Sequence, residues 1–232
     1  MKKRTKILGG VLLIGMLGAV GSVQAGVITS SLGNTASGLA DGTFPALVPT
    51  LLAVQSGQPA PFDAGKGSDV ASNLSETWSH NYGAIADTIL SATISFGIVD
   101  HDSAASGDQI ALFSVDSADL TGVLNSAANA AGEGADGQYD VYTFSLTNFS
   151  DLADGIANIA LTLAGPGLQT ALPFLGGGVS ESTFNGAHLI FATLTINTED
   201  NNGQVPEPST LAVSMLGLAA MGWRQRRRKS RS

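Results

Sequence analysis

The sequence predicts a mainly β protein, an antiparallel β-sandwich or jelly roll, flanked by an N-terminal signal peptide and a single C-terminal membrane-spanning helix. Three observations carry that prediction. Apolar residues alternate with polar ones at period two in several separate segments, as half-buried strands require. Stretches rich in Gly, Asp, Asn and Ser stand between those segments as turns. No long amphipathic helix competes with them, so the apolar strand faces must be buried against one another.

The chain opens with Lys2, Lys3, Arg4 and Lys6, followed by fourteen apolar or glycine residues from Ile7 to Val20 and then the small-residue segment ending Val23-Gln24-Ala25. This is the tripartite pattern of a secretory signal. At about 1.5 Å per residue the apolar run reaches only about 21 Å, short of the ~30 Å hydrocarbon core of a bilayer. Cleavage by signal peptidase between Ala25 and Gly26 is therefore expected over retention as an anchor. Residues 1–25 are read as the signal peptide and 26–197 as an exported domain.

Within that domain Gly33 to Gly67 holds Pro45, Pro49, Pro59 and Pro61 among apolar residues, which suits an edge strand and a loop. Trp78, His80 and Tyr82 share one face of a strand, either as a packing stripe or as a platform on which a sugar stacks. Leu90, Ala92, Ile94, Phe96 and Ile98 alternate with Ser91, Thr93, Ser95 and Gly97. Gln109 to Val115 repeats the pattern more weakly, and Ala118 to Ala131 suits a short helix. Tyr142, Phe144 and Leu146, then Ile159, Leu161 and Leu163, then Ile190, Ala192, Leu194 and Ile196 complete the set. The polar stretch 198–204 reads as a spacer.

Charge is distributed very unevenly. All of the 19 acidic residues except Glu207 lie between Gly26 and Gln204, where Lys66 is the only one of the 11 basic residues, so that stretch carries −17. Such a body cannot neutralise phosphates, which excludes nucleic acid as a partner on charge grounds. With one lysine it is expected to repel itself, to hold folded carboxyl pKa values above unfolded ones, and so to be more stable near pH 5 than at pH 8. The absence of cysteine excludes disulfides, thiolate metal sites and thiol catalysis.

Candidate chemistry centres on acids. Asp100, Asp102 and Asp108 form the densest run, and clustered oxygen ligands on a loop would suit calcium in an exported domain. A solvated loop that keeps the chain soluble is the commoner use of such a run. Asp100 and Asp102 are also the carboxylate pair on which an alternative reading rests, a secreted polysaccharide hydrolase. The run 132–137 matches G-x-G-x-x-G in form only. A strand follows it where a helix is required, and Glu133 and Asp136 would repel a pyrophosphate. His80, His101 and His188 lack the i, i+4 zinc spacing, and no serine sits in a nucleophile elbow, so catalytic residues are expected to be none.

The C-terminal segment is the most specific. Val205-Pro206-Glu207-Pro208 precedes an apolar stretch from Leu211 to Trp223 and a tail carrying Arg224, Arg226, Arg227, Arg228, Lys229 and Arg231. Pro206 and Pro208 hold the motif extended, as a processing cleft requires. The nineteen residues from Val205 to Trp223 are a marginal span, Trp223 suits an interface, and the basic tail stays cytoplasmic under the positive-inside bias. Residues 205–232 resemble the PEP-CTERM sorting signal of bacterial exported proteins. That resemblance implies processing by an exosortase, recognition through Pro206, Glu207 and Pro208, and transient anchoring in the inner membrane. It further implies delivery to the cell surface or the exopolysaccharide matrix. The body is expected to be a structural or binding protein and not an enzyme.

Overall fold

The computed structural model describes residues 25–45, 48–131, 137–170 and 179–199. The signal peptide before Ala25, the G-x-G-x-x-G run apart from Gly137, and the whole of 205–232 with Val205, Pro206, Glu207 and Pro208 lie outside the described residues. So does the stretch expected to form a C-terminal membrane-spanning helix. Among the described residues no helix is long and apolar enough to cross a membrane.

The described chain is mainly β and every strand pair is antiparallel. Its elements are β1 (Ala25–Gly33), α1 (Val48–Gln55), β2 (Ser75–Asn81), β3 (Ile89–Val99), β4 (Ile110–Val115), β5 (Ala118–Asp119), α2 (Thr121–Ala131) and β6 (Tyr139–Leu146). They continue with α3 (Phe149–Leu152), β7 (Ile156–Leu163), β8 (Leu168–Thr170), β9 (Val179–Glu181) and β10 (His188–Glu199). One four-stranded sheet runs β1-β10-β3-β6 and a second runs β2-β7-β4-β5, with β8 and β9 forming a separate hairpin.

The alternation read from the sequence decides which faces meet. Ile94, Phe96 and Ile98 of β3, Leu194 and Ile196 of β10, and Phe113, Ile159 and Leu161 of the second sheet are at most 2 % exposed and belong to one apolar cluster. Each large side chain so buried contributes about 1.5–3 kcal/mol. Phe96 stands at the centre, its ring 5.1 Å from that of Phe113 and 5.8 Å from that of Tyr142. α2 closes one side with Leu124 and Ala128, as its sequence suggests.

Two expectations change. Beyond Gly33, which ends β1, the described residues up to Gly67 build no edge strand, only isolated bridges at Thr43 and Lys66, and instead supply α1. Pro49 is tolerated because it lies in the first turn, where a missing N–H breaks no helical hydrogen bond. α1 then covers one end of the outer face of the first sheet, packing Leu51 and Val54 on Val99, Tyr139 and Ile190. Gln55 fixes it there, donating from Nε2 to the Leu189 carbonyl (3.1 Å) while its Oε1 meets His188 Nδ1 (2.8 Å). The spacer starts later than expected, since β10 runs through Glu199 and Thr198 is buried opposite Gly26. Finally β1, whose short apolar content sits directly at the cleavage segment, is a full nine-residue strand.

Candidate functional site

The bond expected to be cleaved by signal peptidase has a defined place in the fold. Ala25 pairs with Glu199 and Gly26 with Thr198, so that bond lies at the start of the β1–β10 ladder. A Cβ on Gly26 would stand 2.8 Å from Thr198 Oγ1, which is why a residue without one suits that rung. The last rung of β10 is therefore beside the first of β1.

At the opposite end of the same sheet the acidic loop is buried at its start and exposed at Asp108. His101 and Asp102 are 1 % and 0 % exposed, and Ser103 and Ala105 are also buried. Asp102 Oδ2 accepts the Leu168 N–H at 2.7 Å, tying the loop to β8. His101 Nε2 meets the Tyr142 hydroxyl at 2.5 Å, and its Nδ1 is 3.8 Å from Asp140 Oδ2. Gln138 Nε2 donates to Asp140 Oδ1 (2.8 Å), and Asn185 Nδ2 donates to the His101 carbonyl (2.9 Å). Asp108 takes no part. It is exposed and accepts a bond from Asn129 on α2 at 3.2 Å. Among the described residues no three His, Asp or Glu side chains are grouped to hold a metal ion, so the structure does not bring Asp100, Asp102 and Asp108 together. Asp100 and Asp102 adopt φ of 67° and 59°, a region that Asp enters more readily than other side-chain-bearing residues, because its carboxylate bonds locally. Of the carboxylate pair named for a hydrolase, Asp102 is buried and Asp100 is partly exposed.

Asp140, Tyr142 and Asn185 escaped the sequence reading. The signal for Asp140 was there: it shares parity with Tyr142, Phe144 and Leu146, which places a carboxylate on an apolar face. Such a residue must find hydrogen bonds inside.

Trp78 and His80 are 6 % and 0 % exposed, with Phe62 edge-on to Trp78 at 5.7 Å, so these two members of the stripe pack in the body, while Tyr82 is partly exposed. Burial lowers the His80 pKa to about 4 and also pushes His188 down. The carboxylates of Asp63, Asp119 and Glu181 are held below their usual range by hydrogen bonds from Lys66, Thr121 and Ser106 respectively. This runs opposite to the shift expected from self-repulsion. The acids instead clip loops: Asp41 accepts from Val141 N (2.8 Å), Asp69 from Gly186 N (2.9 Å), Asp116 from Asn158 N (2.8 Å) and Asp154 from Ile156 N (2.9 Å).

Outside, the sheets present hydroxyls. The ladder aligns Ser31, Thr193, Ser95 and Thr143 in one row across four strands and Thr29, Thr195, Thr93 and Ser145 in the next. Ser31 and Thr193 share a hydrogen bond at 3.0 Å, and the Thr143 hydroxyl donates to Ser95 at 2.9 Å. On the second sheet a shallow groove of about 320 Å³ is lined by Thr77, Ser79, Ser114, Asp116 and Asn158. The Ser79 hydroxyl donates to Asn158 Oδ1 at 2.8 Å, and Asn158 Nδ2 to Asp116 Oδ1 at 3.1 Å, so the groove's polar groups are already oriented.

A β body followed in sequence by a Pro-Glu-Pro motif, an apolar run and an arginine cluster defines an exported protein with a membrane-anchored C-terminal sorting signal. Residues 204–228 match the family described as the PEP-CTERM protein-sorting motif, and the chain is thereby an exosortase-targeted protein. The match does not extend to the body. No curated protein and no solved structure matches the chain.

Proposed function

We propose that this protein is a non-enzymatic component of the exopolysaccharide layer, released from a transient inner-membrane anchor by exosortase after signal peptidase has freed Gly26. The single observation that carries this reading is the sorting motif at 204–228, which begins five residues beyond the last strand of the body. In this reading the body is a β-sandwich that serves as the displayed cargo. Its outer faces support a role among polysaccharides, because rows of Ser and Thr exchange hydrogen bonds with hydroxyl-rich polymers without adding charge to an already acidic body. Pro206, Glu207 and Pro208 are the recognised residues, and the basic tail holds the helix until cleavage.

Mass spectrometry of the native surface-associated protein tests the proposal. The expected product starts at Gly26 and lacks the residues after the Pro-Glu-Pro motif. Mature surface material that still ends at Ser232 overturns it.

A further inference from the structure

Each four-stranded sheet has two edges, and an open edge pairs with any strand that reaches it unless something prevents this. Three of the four edges here carry a preventive device. β5 is two residues long. β2 places Glu76 on the same parity as Trp78 and His80, a charge on the inner side of an edge. The start of β6 is taken by residues 41–43: Gly42 N donates to the Tyr139 carbonyl, Tyr139 N to the Thr43 carbonyl, and Val141 N to Asp41.

β1 carries none. Its nine residues contain no charge, no proline and no lysine, and its register with β10 is unbroken from Ala25 to Gly33. Among the described residues nothing pairs with its other side. Its inner face is also unfinished. Ile28 and Leu32 are only partly buried, whereas their ladder partners Ile196 and Ala192 are 0 % exposed. On the outer face Val27 is 63 % exposed.

We infer that the β1 edge is an interface for a second copy of this chain. Antiparallel pairing about a two-fold axis at Ser30 sets Ile28 opposite Leu32 of the second copy, so the half-buried apolar residues cover one another. It sets Thr29 opposite Ser31, which joins the hydroxyl rows of two sheets into rows twice as wide. Identical strands meet this condition in both directions at once, as an isologous contact requires. Charge favours this edge over other contacts between copies. The body carries −17 and β1 contributes nothing to it, so pairing here brings the fewest carboxylates together. Added salt strengthens the association by screening what repulsion remains.

The test is sedimentation of the native surface-associated protein across a concentration series, with hydrogen exchange on the same samples. A dimer is expected, with β1 amides whose protection rises with concentration. Thr29→Lys, which gives this edge the device natural edges use, raises the dissociation constant about tenfold or more while circular dichroism stays that of the unaltered protein. Val27→Lys at the exposed neighbouring position does the same, and covers the case in which Thr29→Lys fails to fold. A monomer at every concentration overturns the inference. So does a dimer indifferent to both substitutions, or β1 protection that does not depend on concentration, which would place the covering strand within one chain.

Discussion

The two ends of the β1-β10-β3-β6 sheet solve opposite problems. At the Val99 end the strands run into loops that bury His101, Asp102, Gln138, Asp140 and Asn185, all at most 7 % exposed. At the Glu199 end the ladder stops with small and hydroxyl side chains, Ala25, Gly26 and Thr198, and the chain departs in both directions. The first end is a polar knot that a chain with one body lysine cannot stabilise with cations, so it uses backbone and side-chain N–H groups instead. The lesson is that the acids of this body act as much through local acceptance of hydrogen bonds as through net charge.

If the apolar middle of the sheet outweighs both ends, Phe96→Ala is the most damaging single change. A loss of about 3–5 kcal/mol in denaturant unfolding is expected from the cavity it leaves. The knot comes next. Asp102→Ala leaves the Leu168 N–H buried without its acceptor, and a loss of about 1.5–3 kcal/mol is expected. Equal losses for Asp102→Ala and for Asp108→Ala, whose carboxylate is exposed, would dissolve the distinction between knot and surface.

Acid probes a third place, the buried His80 that bonds Ser30 of β1 through Nδ1 at 3.1 Å. Its folded pKa of about 4 lies below the ordinary 6.5, so the folded state binds fewer protons between those values. The stability His80 contributes is fully present above pH 6.5 and is lost as pH falls toward 4, amounting to about 3 kcal/mol. The lowered carboxyls of Asp63, Asp119 and Glu181 have the same sign at still lower pH. The protein is therefore expected to melt lower at pH 5 than at pH 8 in low salt, and His80→Gln to flatten that step. A higher melting temperature at pH 5 would reinstate a self-repelling surface.

The smallest effects belong to the outer face and to calcium. Thr195→Val should change stability by no more than about 0.5 kcal/mol, since the hydroxyl is on the surface side of the sheet. Millimolar calcium should leave the melting temperature unmoved at constant ionic strength, because Asp102 is committed to Leu168 and Asp108 stands apart. A rise that scales with calcium would show that the loop end opens to bind it.

How much of this was legible follows the same division. Where burial is apolar, period two exposed it: β3, β6, β7 and β10 lie where Leu90 to Ile98, Tyr142 to Leu146, Ile159 to Leu163 and Ile190 to Ile196 alternate. Where burial is polar, composition misled. A run such as Asp100-His101-Asp102 looks solvated because nothing local shows that Leu168 and Tyr142, far along the chain, supply its partners. β1 was hidden differently. Its residues follow the expected signal segment in sequence, and only Phe191 to Glu199 of β10, far along the chain, give them a ladder. The sorting signal needed no distant partner, because its motif, apolar run and basic tail follow one another in 205–232.

The pairing of β1 with β10 also sets a timetable. The first strand of the body to leave the cytoplasm has its hydrogen-bonding partner in the last, and contacts of such long sequence separation form late. During translocation β1 has no rung to occupy, so under the proposed cleavage the bond between Ala25 and Gly26 would stay in an open chain while signal peptidase could reach it. Once β10 has crossed, the ladder draws that segment into the sheet. A leader cleaved there would thus stay cleavable for as long as export lasts, and the strand that follows it would be sealed only when the whole body has arrived.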